Sequence, residues 1–186
     1  AQLIHDQEKN TYHSLGDPTE AALVVAAAKA SIWKHDLDRL LPRVAELGFD
    51  SDRKRMTTLH DRANLNNGGP IFGSGFLSQI ASHPLVAFTK GSVDGLMEQS
   101  TSVWTDDRIE TLTESWRQRI LAANDQLASK GLRVLGIAFR SLVRGEKLDP
   151  ATIENQLIFV GLVGLIDPPR PEVREAVATS KAAGIR

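Results

Sequence analysis

Cysteine is absent from the 186-residue chain, so no disulfide can staple the fold and no thiolate can serve as nucleophile or zinc ligand. A reducing compartment is allowed by this but not required. The chain also lacks any run near the roughly 18 consecutive apolar residues of a membrane span. Its longest apolar stretch, around Leu157–Ile166, reads as a buried strand. Charge of one sign is missing too. With 22 Lys and Arg against 23 Asp and Glu the formal net charge is −1, without the basic excess expected of a nucleic-acid binder. No glycine-rich loop ends in Lys-Ser or Lys-Thr, which excludes a P-loop ATPase. His5, His13, His35, His60 and His83 share no ligand spacing on one helix, so no zinc site is expected. There is no signal-peptide pattern, and residue 1 is Ala. The chain reads as a piece cut from a longer protein.

What is present is the balance of a globular domain, 41% hydrophobic and 24% charged, with enough length for one core and part of a second unit. Residues 1–16 have little periodicity and read as a loop or frayed entry. Asp17-Pro18-Thr19-Glu20 announces a helix through Ala30. Asp17 can cap it, Pro18 suits its first position, and Glu20 stands where it can reach back to the cap. Val44–Phe49 and Met56–His60 read as strands around a charged connection, and Asn64–Gly75 as a flexible loop. Leu85–Lys90 is a strand and Val93–Gln99 one or two helical turns. Leu112, Trp116, Ile120 and Leu127 place a long helix over Thr111–Lys130, ended by Gly131. Leu132–Phe139 and Leu157–Ile166 are strands. Asp167-Pro168-Pro169-Arg170 breaks the regular structure, and a last helix covers Glu172–Ala183. Strands follow strands more than they alternate with helices. That order predicts an α+β fold, a mostly antiparallel β-sheet flanked by helices.

Five segments carry a resemblance, in order and in spacing, over nearly the whole chain. They are Gly16-Asp17-Pro18-Thr19-Glu20-Ala21-Ala22-Leu23, Phe49-Asp50-Ser51-Asp52-Arg53-Lys54-Arg55-Met56, Phe88-Thr89-Lys90-Gly91, Gly131-Leu132-Arg133-Val134-Leu135, and Gly161-Leu162-Val163-Gly164-Leu165-Ile166-Asp167-Pro168-Pro169-Arg170. Together they resemble the nucleotide-binding domain of P-type cation-transporting ATPases, in a style similar to bacterial calcium pumps.

The resemblance implies ATP as ligand and a role for each matched position. Phe49 stacks on adenine. A phenylalanine followed at once by six polar or charged residues lies at the edge of the core, which suits a stacking platform worth roughly 1–3 kcal/mol per base; the plainer reading is a core residue at a strand end. Lys54 and Lys90 line the pocket and steer the phosphates, and Gly91 lets backbone come close to the ligand; the plainer reading makes both lysines solvated surface residues. Glu20 accepts from the adenine edge, besides or instead of capping its helix. Arg133 pairs with phosphate, where a guanidinium fork fits; otherwise it is an exposed arginine at a strand start. The chain departs from the pattern at Ser92-Val93-Asp94, where Ala-Pro-Glu is common, and the Asp61–His83 segment matches no family motif.

The family's phosphorylated Asp-Lys-Thr-Gly-Thr, its Thr-Gly-Asp and its metal-binding Gly-Asp-Gly do not occur here. No residue of this chain is therefore expected to be catalytic or to bind metal. The Mg²⁺ that the parent pump needs would be held by ligands outside the chain. Residues 1–167 are read as the nucleotide-binding domain, its opening strands missing before Ala1, and 168–186 as the hinge and first helix of the phosphorylation domain. The expected partners are ATP or ADP, the phosphorylation domain and the membrane helices of the same polypeptide, and no nucleic acid. The expected location is the cytoplasmic side of an integral membrane protein. A non-catalytic regulatory nucleotide-binding module is the alternative.

Overall fold

The computed structural model describes residues 1–6, 11–67, 73–166 and 171–185. The chain opens with an antiparallel ribbon of β1 (Gln2–Asp6) and β2 (Thr11–Leu15), then α1 (Pro18–Lys29) and α2 (Lys34–Leu40). The hairpin β3 (Arg43–Asp50) and β4 (Arg55–Asp61) follows, then a 3-10 turn over Ala63–Asn67, α3 (Ser74–Ile80) and β5 (Leu85–Gly91). Next come α4 (Val93–Gln99), the hairpin β6 (Ser100–Thr105) and β7 (Arg108–Thr111), and the long α5 (Glu114–Ala128). The last elements are β8 (Arg133–Leu142), α6 (Pro150–Ile153), β9 (Leu157–Leu165) and α7 (Pro171–Ala182).

Seven strands form one sheet in the order β3-β4-β5-β8-β9-β6-β7. Every pairing is antiparallel except β6 with β9. The α+β architecture read from the sequence is the one observed. Because side chains alternate across a strand, register assigns faces. Met56 pairs with Lys90 and Lys90 with Ile137, so these three share one face with Phe88 and, two and four positions back along β8, Leu135 and Arg133. Thr57, Thr89, Ala138 and Gly136 share the other. On the first face Leu41, Leu65, Ile80, Val86 and Phe139 form a core joined by the rings of Phe76, Phe88 and Trp104. On the second, α4 and α5 bury Val93, Leu96, Met97 and Ile120 against Ala138, Leu157 and Phe159. Gly136 is required there, since a side chain on it would press on Leu96 at 3.0 Å and Phe159 at 3.2 Å.

Several local readings are corrected. Residues 1–16, expected as a loop, contain the β1–β2 ribbon, in which His5 and Tyr12 pair across the strands with ring centroids 4.7 Å apart. A ribbon with so little apolar alternation leaves almost no sequence signal. The β6–β7 hairpin was not expected, and it takes Thr111 from the helix, which begins instead at Glu114 behind the cap of Thr113. Its turn uses Asp106 and Asp107, both with positive φ (47° and 62°), where glycine or asparagine would have been the recognisable signal. Helix α2 was missed, and α3 begins inside the segment read as a flexible loop. The Gly68–Phe72 part of that loop and the Asp167-Pro168-Pro169-Arg170 break lie outside the described residues. Helix α7 leaves Val173 and Val177 exposed.

Candidate functional site

Asp17 caps α1 as expected, with its Oδ1 accepting from the backbone N–H of Thr19 at 2.9 Å and of Glu20 at 3.1 Å. Those bonds, that from Glu20 first, hold the Asp17 carboxyl below the usual range. Glu20 does not reach back to complete a capping box. Its carboxylate crosses to the sheet, where Lys90 Nζ on β5 donates to Oε1 at 2.7 Å. That bond pulls the Glu20 carboxyl below its ordinary value despite partial burial. The pair thus ties the first turn of α1 to the end of β5.

Phe49, the last residue but one of β3, has 66% of its surface exposed, so it is no core residue. The connection to β4 is an Asx turn in which Asp50 Oδ1 accepts from the N–H groups of Asp52 (3.0 Å) and Arg53 (2.8 Å). Lys54 N–H donates to the Asp50 carbonyl at 2.7 Å, and the Lys54 carbonyl accepts from Ser92 N–H at 3.0 Å. Lys54 sits in the left-handed region with φ 51°, a conformation that costs a lysine energy unless its surroundings hold it. Gly91 also has a packing reason. A side chain there would strike the Lys54 carbonyl and the Arg55 Cβ, both at 2.6 Å, so glycine is needed for β5 to pass under the turn.

All six expected residues, Glu20, Phe49, Lys54, Lys90, Gly91 and Arg133, line one cleft of about 470 Å³. Asp17, Thr19, Met56, Ser92, Val134 and Leu135 complete it. A second pocket of about 240 Å³ shares Glu20, Met56 and Lys90 with the first and is floored by Leu23, Val24, Phe88 and Ile137. Lys90 shares the Glu20 carboxylate with the Ala1 ammonium, 3.3 Å from Oε2, whereas Lys54 and Arg133 are exposed and, among the described residues, unpaired with any carboxylate. The cleft is therefore graded, with an exposed aromatic ring, an ion pair with apolar surroundings, and two uncompensated cations. A planar base and a polyanionic tail fit that set of groups; a metal does not. Among the described residues no three His, Asp or Glu side chains cluster to hold a metal ion, and no helix is long and apolar enough to cross a membrane. A further cavity of about 530 Å³ between the β1–β2 ribbon and α1–α2 contains none of the six.

One group went unseen in the sequence. Glu154, just after α6, is fully buried, and it receives Arg53, Arg55 and Thr57. Burial alone would push its carboxyl up, but the hydrogen bonds from Arg53, Thr57 and Arg55 outweigh it and leave the carboxyl below the ordinary value. Partners about a hundred positions apart leave no mark in local spacing.

The family model for the P-type ATPase cytoplasmic domain N matches residues 1–172. Calcium-transporting ATPase 1 of Bacillus cereus is 37% identical over 184 residues, 99% of this chain and 18% of that protein. Calcium-transporting ATPase 1 of Lactococcus lactis is 34% identical, and the cation-transporting ATPase pma1 of Synechocystis 36% identical, each over 92% of this chain and 17% of the relative. The chain thus spans less than a fifth of the length of these relatives.

Proposed function

Since this chain belongs to the P-type ATPase cytoplasmic domain N family, we propose that it is the ATP-holding domain of a cation pump and presents the γ-phosphate to an aspartate in the adjacent phosphorylation domain. The observation that supports this reading is the convergence of Glu20, Phe49, Lys54, Lys90, Gly91 and Arg133, drawn from four separate stretches of chain, on one cleft. The ring of Phe49 stacks on the base, and the Glu20–Lys90 pair meets its edge. Lys54 and Arg133, whose charges no carboxylate among the described residues cancels, take the phosphates. In this reading Lys90, whose ammonium donates to Glu20, serves the base edge, where the resemblance groups it with the phosphate cations.

When bound, ATP would supply the phosphoryl group. The residues here bind and orient it, and the parent's Mg²⁺ and phosphorylated aspartate lie beyond this chain. Alone, the chain does not hydrolyse ATP. The parent is an integral membrane pump with this domain on the cytoplasmic side, and the bacterial calcium-transporting relatives favour calcium as its cargo. Residues 168–186 belong to the hinge and phosphorylation domain, a division supported by the exposed Val173 and Val177 of α7.

A titration of ATP followed by amide chemical shifts tests the reading. Shifts at Phe49 and Lys90 without added magnesium, with a Kd of about 0.1–1 mM, are expected. Their absence at saturating ATP overturns it.

A further inference from the structure

The Glu154 carboxylate lies on the face of the sheet opposite the cleft. Thr57, which donates to its Oε1 at 2.8 Å, belongs to the same face as Thr89, 2.9 Å away, and Ala138. Met56 and Lys90, one position along, face the cleft. No ligand in the cleft can touch Glu154, which has 0% of its surface exposed.

What Glu154 holds is the β3–β4 turn. Arg53 Nη1 donates to Oε1 and Oε2 at 2.6 and 2.5 Å, and Arg55 Nε donates to Oε2 at 2.7 Å. Arg53 then passes the constraint on, because its Nη2 donates to the carbonyl of Gly48 at 2.8 Å, beside Phe49. The two arginines flank Lys54. Drawing both to the rear of the hairpin leaves the residue between them to turn the other way, and the left-handed φ of Lys54 is the backbone form of that turn. The carboxylate therefore anchors the peptide next to Phe49 and both neighbours of Lys54. A buried carboxylate is costly unless fully paired, and here three side chains supply four hydrogen bonds to it.

We propose that Glu154 is a positioning residue for nucleotide binding, acting from behind the sheet through Arg53 and Arg55 to hold Phe49 and Lys54 at the cleft. The proposal rests on the cleft being the ATP site. It differs from a general packing role in one respect: its effect on affinity must pass through Phe49 and Lys54.

The test uses the 186-residue chain and ATP itself, at a temperature where circular dichroism shows each variant folded. E154Q keeps the shape and removes the charge. It should weaken ATP binding roughly tenfold, within the coupling seen among residues of one hydrogen-bond network. In the ligand-free protein it should also move the amide resonances of Phe49 and Lys54. In an F49A/K54A background the same change should alter the residual affinity by less than about twofold. If E154Q does not fold, R53K retains a cation for Glu154, loses the fork that also holds Gly48, and should show the same pattern more weakly. Wild-type affinity in the folded variant, or an equal loss in both backgrounds, overturns the positioning role while leaving the ATP site standing. Failure of the unaltered chain to bind ATP overturns both.

Discussion

Lys90 Nζ lies 2.7 Å from Glu20 Oε1, and this one contact joins the first turn of α1 to the end of β5 at the inner side of the cleft. Neither side chain is more than 28% exposed. The pair is thus shielded from full solvent screening, and it sets what each partner can offer a ligand. A lysine already answered by a carboxylate has little net charge for phosphates. Lys90→Ala is accordingly expected to weaken ATP and AMP by the same factor. Calorimetry with both nucleotides checks it; a loss confined to ATP would return Lys90 to the phosphate end.

Lys54 and Arg133 are expected to behave in the opposite way. Each is exposed and lacks a carboxylate partner among the described residues. Arg133→Ala should reduce ATP affinity several-fold, by about 1 kcal/mol, and AMP affinity hardly at all, because the triphosphate carries more charge. The ATP effect should shrink as salt is raised. An Arg133 variant equally impaired for ATP and AMP at every ionic strength would remove this residue from the phosphates.

Phe49→Ala should cost about 1–3 kcal/mol of affinity for every adenine nucleotide, the worth of one base stacked on one ring. The ring is 66% exposed, so it contributes little to the core and the melting temperature should hardly change. Parallel binding and thermal scans separate the two effects. A large fall in melting temperature with affinity unchanged would make Phe49 a packing residue.

Stability should decline on acidification in two stages. His60 is held neutral mainly by burial, which pushes its pKa below 6.5. Its Nδ1 lies 2.8 Å from the Leu41 carbonyl, which can only accept, so Nδ1 carries the hydrogen and Nε2 accepts from Thr58 at 2.9 Å. The unfolded chain takes up a proton near pH 6.5 that the folded one refuses. Stability therefore falls as pH drops below about 6.5, and this loss stops growing once pH is below the folded value. Glu154 acts in the same direction at lower pH, its carboxyl lying below 4.5 in the folded state. Its contribution is complete above about pH 4.5 and is lost as pH falls through the folded value. Urea midpoints at pH 7.5, 5.5 and 3.5 should step down twice. His60→Gln should remove the first step, and a first step that survives it would assign the loss elsewhere.

A chain ended at Asp167 should bind ATP as the full chain does and melt within a few degrees of it. Along α7, Val173 and Val177 are 44% and 46% exposed, so the helix buries little apolar surface. A collapse of the melting temperature on truncation would place α7 in the domain.

The α1 cap, the strands around Phe49 and Lys54, the Lys90-Gly91 strand end and the long helix before Gly131 were legible because their signals are local. A capping aspartate followed by proline, an apolar run interrupted by charges, and apolar residues at helical spacing each reflect interactions within a few residues. The order of elements carried the antiparallel α+β class in the same way. The β1–β2 ribbon and the β6–β7 hairpin were not legible, the first for want of alternation and the second because its turn uses Asp106 and Asp107. The sequence motifs also named the residues of one cleft, with all three cations read at the phosphates, and without the contacts that distinguish them. Only the tertiary structure shows Lys90 beside Met56 and Ile137 and the Glu20 carboxylate brought across to it by α1. Gly91 shows the same division. Its place in the motif was visible, but its packing against the Lys54 carbonyl and the Arg55 Cβ, both at 2.6 Å from a side chain placed there, was not. Glu154 is the extreme case. A buried carboxylate finds its partners through space, and Arg53 and Arg55 stand about a hundred residues earlier, so only the folded sheet brings charge and countercharge together.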